Sequence, residues 1–153
     1  MAGKPEIVHE TIRVERLFKA APERVFAAWE DSDARRRWEP TPEDMEMDYE
    51  SFDFRAGGYE KSHLKKNGEV IVSFDTWFID IVPASRIVSA VRVISNSAAF
   101  SCMQSTIDFR PEGTGTRLVC CEQAAFMTGQ SMRSAHENGW GVMLDRLEKE
   151  VDG

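Results

Sequence analysis

Long apolar runs are missing from this sequence. No stretch approaches the roughly 18 apolar residues of a membrane-spanning helix, and Met1 to Glu10 lacks the apolar centre of a secretory signal. A cytoplasmic protein is therefore expected. Cysteine is scarce and odd in number: Cys102, Cys120 and Cys121 show no C-x-x-C spacing, and the neighbouring pair would point to opposite faces of a strand. Ordinary half-buried thiols are expected of them, ahead of redox or metal chemistry. Positive charge is also in deficit. A net charge of -7 and a pI near 5.0 disfavour phosphate backbones and anionic lipid heads, so nucleic-acid binding is not expected. The one basic cluster, Arg35-Arg36-Arg37, would fan around a helix, and a solvated helix face is the plainer reading of it.

Catalytic signatures are equally sparse. His9, His63 and His136 are scattered without metal-ligand spacing, so no metal is expected. No G-x-S-x-G elbow, phosphate-binding glycine loop or dinucleotide fingerprint is present, so no cofactor is expected and no catalytic residue is assigned.

What remains is the composition of a folded domain. With 153 residues, 42% hydrophobic and 29% charged, the chain suits a single domain over residues 1–153 with a substantial core. Ile7 to Lys19 reads as a strand, with Ile12, Val14 and Leu17-Phe18 among charged residues. Pro22 suits the first position of a helix running to Glu30, with Val25, Phe26 and Trp29 inward. Asp31-Ser32-Asp33 caps a second short helix through Trp38, ended by Pro40 and Pro42. Six strands then alternate with turn signals: Met45 to Arg55, Tyr59 to Lys65, Val70 to Ile81, Arg86 to Ile94, Ser101 to Arg110 and Thr116 to Ala125. The connections are too short for parallel crossovers, which predicts an antiparallel meander. From about Thr128 to Val151 helical spacing returns, with Met132, His136, Trp140, Met143, Leu147 and Val151 on one stripe that must bury against the sheet.

The ordered motifs carry a resemblance. Ala21-Pro22-Glu23-Arg24-Val25-Phe26 with Trp29, then Trp38, Asp53-Phe54-Arg55-Ala56-Gly57-Gly58, Ile81-Val82-Pro83 with Arg86-Ile87-Val88, Gly113 to Leu118, and Gly139-Trp140 with Leu147 span nearly the whole chain. Together they resemble the activator of Hsp90 ATPase homologue 1-like (AHSA1-like) family of the START/Bet v 1-like (SRPBCC) superfamily. The resemblance implies an α+β helix-grip fold: a curved seven-stranded antiparallel sheet around a long C-terminal helix, with two short helices after strand 1. It also implies a cavity between sheet and helix. By family name alone, an Hsp90-type ATPase is a candidate partner.

Trp38, Tyr49, Phe54, Trp77, Phe100, Met103, His136, Trp140 and Met143 are the candidate ligand-binding set, drawn from the helix pair, the sheet and the long helix. Core packing is the plainer reading of each one singly. The function expected first is binding of a small hydrophobic or amphipathic molecule in that cavity. The rivals are a co-chaperone-like interaction protein and a cofactor-free, cyclase- or hydrolase-like enzyme using His136 with Tyr49 or Asp53. Asp53 and Arg55, two residues apart beside Gly57-Gly58, read as a local ion pair. Gly139 and Gly141 each cost a helix about 1 kcal/mol relative to alanine, which predicts a close backbone approach to the sheet or to a cavity. The aromatic-rich Val70 to Ile81 strand makes a homodimer a reasonable expectation.

Overall fold

Short tight turns dictate the order of the sheet. In the computed structural model, which describes residues 3–40 and 44–153, Asn67-Gly68 and Asn96-Ser97 each place two successive residues at positive φ. That is the geometry of a two-residue hairpin turn whose twist matches the flanking strands. The strands are β1 (Val8–Phe18), β2 (Glu46–Phe52), β3 (Tyr59–Lys66), β4 (Glu69–Val82), β5 (Arg86–Ser95), β6 (Ala98–Glu112) and β7 (Gly115–Phe126). They form one antiparallel sheet in the order β1-β7-β6-β5-β4-β3-β2. The expected six-strand meander is thus present, and β1 pairs with the last strand.

Helices α1 (Pro22–Glu30) and α2 (Ser32–Trp38) carry the chain from one edge of the sheet to the other. Asp31 caps α2 by accepting from the Asp33 N–H at 2.9 Å. The expected stop at Pro42 lies outside the described residues. α3 (Arg133–Asp152) begins five residues later than its periodicity suggested, because Gly129 at positive φ and the Thr128 hydroxyl turn the chain first. β2 also ends early. Residues 53–58 form a loop in which Asp53 and Arg55 pair at 2.9 Å, and a Cβ on Gly58 would lie 2.1 Å from the Asp53 carbonyl oxygen. Only glycine fits there.

Strand alternation sends one set of side chains toward α3 and the other to the convex side. The inward set joins α1, α2 and α3 in a core of Phe26, Trp29, Trp38, Phe109, Leu118, Leu144 and Leu147. A second cluster, Ile12, Val93, Met103, Ala124 and Phe126, lies toward the other end of the sheet. The cysteines divide as strand geometry requires: Cys120 is buried, Cys121 half-buried and Cys102 exposed. Burial pushes the Cys120 thiol well above its usual range.

One carboxylate on the convex side is buried. Asp75 accepts from the Tyr59 hydroxyl, from Lys61 Nζ at 3.0 Å and from Arg92 at 2.7 and 2.9 Å, so it ties β3, β4 and β5 together. Burial opposes its charge, but these donors outweigh that and hold its pKa down to about 2. A depressed folded-state pKa contributes stability above the unfolded value of 3.8 and loses it as pH falls toward 2. Asp75→Asn should therefore cost about 2 kcal/mol at neutral pH, with the gap from wild type closing between about pH 4 and pH 2. Urea unfolding across that range measures this; a gap that stays constant would contradict it.

Candidate functional site

Between the two apolar clusters the space under α3 is not filled by side chains of the sheet, and a cavity of about 330 Å³ remains. Its floor comes from inward residues of successive strands, including Leu64 on β3, Phe74 and Phe78 on β4, Ile87 and Val91 on β5, and Met103 and Ile107 on β6. Its roof is one face of α3, where Ala135, His136, Gly139, Trp140 and Met143 recur at three and four residues. A Cβ added at Gly139 would meet nothing within 4 Å. The glycine therefore borders open space in the cavity, and the close approach to the sheet that its helix cost suggested is absent. Gly141 likewise has nothing within 4 Å.

Polar groups sit at two places in this apolar lining. At one, Glu122 on β7 is buried and its Oε1 accepts from His136 Nε2 at 2.6 Å and Trp140 Nε1 at 2.7 Å. Ser105 and Ser89 stand beside it in the same cross-strand row and also line the cavity. At the other, Arg35 donates to the Trp29 carbonyl at 2.8 Å, to Glu39 at 2.6 Å and to Glu60. The Tyr49 hydroxyl donates to the other oxygen of Glu39 at 2.6 Å. Burial alone would favour a neutral guanidine, but the Glu39 and Glu60 charges more than reverse it and raise the pKa of Arg35. Burial raises the Tyr49 phenol, and Glu39 adds to the effect. Burial also raises Glu60, with Arg35 opposing and Glu39 reinforcing.

The structure divides the candidate set. Met103, His136, Trp140 and Met143 come together in the lining. Trp38 is buried among the helices, its indole donating to the Ala28 carbonyl at 2.9 Å, and Trp29, its ring centroid 4.6 Å away and tilted at 58°, is the tryptophan that faces the cavity. Tyr49 is held on Glu39 behind the lining, while Phe54 packs on Phe26 and Phe78. Phe100 packs against the second cluster. Trp77 points the other way: Phe74, Thr76 and Phe78 line the cavity, so strand parity puts Trp77 on the convex face, where it packs on Tyr59 and is 43% exposed.

Neither acid-base partner expected for His136 is near it. Tyr49 serves Glu39 and Asp53 serves Arg55, whereas Glu122 holds the imidazole. Glu122 could have been found from β7 alone, since Leu118, Cys120, Glu122, Ala124 and Phe126 share one parity and the other four are apolar or small. The Arg35-Arg36-Arg37 run also departs from a solvated face. Arg36 and Arg37 are exposed, but Arg35 falls on the side of Ala34 and Trp38 and is 4% exposed. Among the described residues no group of three His, Cys, Asp or Glu is placed to hold a metal ion, and no helix is long and apolar enough to cross a membrane.

A family model described as activator of Hsp90 ATPase homolog 1-like protein matches residues 19–152. Among solved structures, a protein from Rhizobium loti is 36% identical, with 95% of this chain and 99% of that chain covered and a TM-score of 0.84. A putative uncharacterized protein from Rhizobium leguminosarum is 32% identical over 96% of this chain and 97% of its own, with a TM-score of 0.87. An AHSA1-like protein from Aeromonas hydrophila shares the fold at 20% identity, covering 94% and 92% of the two chains with a TM-score of 0.72. No curated protein matches the chain.

Proposed function

We infer, from the premise that the chain belongs to the activator of Hsp90 ATPase homologue 1-like family, that it binds a small hydrophobic or amphipathic molecule between the sheet and α3. The observation that carries this reading is the apolar cavity of about 330 Å³ with its polar groups confined to a few fixed positions. Preformed apolar clefts with sparse, oriented polar groups are the usual form of small-molecule sites. At about 330 Å³ the space falls near the lower end of the size range usual for small-molecule pockets.

Native mass spectrometry of freshly purified protein, with a thermal-shift screen of lipids, polyketides and aromatic compounds, tests the reading. A retained small molecule, or a melting temperature that rises with ligand concentration, is expected. Protein that is empty and unresponsive to every compound would count against it.

The Glu122–His136 pair supports a second reading, an enzyme that moves a proton at the cavity wall. Its test is a screen for turnover of bound compounds, in which His136→Ala must abolish activity while the fold is kept. The co-chaperone reading has the family's descriptive name as its support, and failure to bind or stimulate a purified Hsp90-type ATPase would remove it. Self-association through the convex face is supported by Ile71, Trp77 and Ile79, exposed apolar residues on β4, and size-exclusion chromatography tests it.

A further inference from the structure

Glu122 differs from the other carboxylates in the cavity wall. Glu60 offers both oxygens to Arg35, and Glu39 offers one to Arg35 and one to Tyr49. At Glu122 both donors, His136 Nε2 and Trp140 Nε1, converge on Oε1. Every side-chain oxygen sealed from solvent among the described residues has a hydrogen-bond partner. Oε2, which receives none, is therefore open to the cavity that Glu122 lines, although the residue as a whole is 4% exposed.

Charge in the wall has the same sense. Three carboxyl groups, Glu39, Glu60 and Glu122, stand against one guanidinium, Arg35, and the imidazole of His136. A ligand anion here would face like charge across an apolar medium that screens poorly. A donor meets the opposite situation, because Glu122 is 4% exposed and presents Oε2 as an acceptor that no protein donor among the described residues fills. Ser105 lies next to Glu122 in the cross-strand row, and Ser89 next to Ser105, so a polar end group at Oε2 has hydroxyls within reach.

Resting on the cavity-binding reading above, we propose that the ligand is an amphiphile whose polar end donates hydrogen bonds and carries no negative charge, an alkylamine foremost, seated with that end on Glu122 Oε2. Its apolar tail lies along Met103, Ile107, Trp140 and Met143.

The test is isothermal titration calorimetry of the full chain with octylamine, 1-octanol and octanoate near neutral pH, three probes that share a tail and differ in the head. Octylamine should bind at least about tenfold tighter than octanoate, with octanol between them. Glu122→Gln, which keeps an oxygen for His136 and Trp140, should reduce the amine-to-carboxylate ratio to within about threefold and leave octanol little changed. Octanoate binding wild type as tightly as octylamine, or an amine preference unchanged in Glu122→Gln, would overturn the head-group proposal and leave the cavity reading standing. Failure of all three probes to bind would overturn both.

Discussion

Arg35→Met is expected to destabilise the protein by about 3–5 kcal/mol, because it strips the cation from a buried cluster and leaves Glu60 facing Glu39 without compensation. The guanidinium also holds the Trp29 carbonyl and lies over the Phe52 ring at 5.0 Å, so α1, α2, β2 and β3 all lose a contact in that one change. For a chain of this length the melting temperature should fall by on the order of 10 °C. The double substitution Arg35→Met with Glu60→Leu should recover much of the loss, since a buried ion pair replaced by apolar residues of similar volume is often neutral. Urea unfolding of the two single variants and the double variant completes the cycle. A loss below about 1 kcal/mol in Arg35→Met would mean that this arginine is solvated.

Gly139→Phe should abolish ligand uptake without unfolding the chain. The added ring enters space where a Cβ meets no atom within 4 Å, and it takes up volume that an octylamine tail would occupy. Affinity should fall by at least about a hundredfold, while stability stays level or rises because a helical glycine is lost. Gly139→Ala separates these effects: it should add about 1 kcal/mol of stability and leave binding within a fewfold of wild type. Calorimetric titration with a parallel melting curve reads both quantities. Wild-type affinity in Gly139→Phe would place the ligand elsewhere.

The architecture was legible because its signals are local. Asn67-Gly68 and Ser95 to Ala98 mark hairpins whose geometry follows from the residues in them, and a chain of such hairpins has one simple topology. The pairing of β1 with β7 joins residues as far apart as Val8 and Phe126, and no turn announces it. At the site, helical spacing brought His136, Trp140 and Met143 to one face of α3, and that face is the one lining the cavity. Aromatic content was the weaker guide. Trp77 is an aromatic on a strand rich in apolar residues, and only parity with Phe74 and Phe78 tells that it faces outward.

The charged groups were hidden for a different reason. Arg35 sits in a run of three arginines that looks like surface, and its burial depends on Glu60, twenty-five residues away on another element. Glu122 has the inward parity of β7, but a carboxylate is rarely buried without partners. The two that hold it, His136 and Trp140, come from α3.

The central claim is that the hollow under α3 takes up an amphiphile. Nuclear magnetic resonance of the four tryptophan indole N–H groups during an octylamine titration tests it most directly, since each indole reports a different place. The Trp140 signal, bonded to Glu122 inside the hollow, should shift in proportion to occupancy, and the Trp77 signal on the convex face should stay still. A stationary Trp140 signal with a moving Trp77 signal would contradict the account.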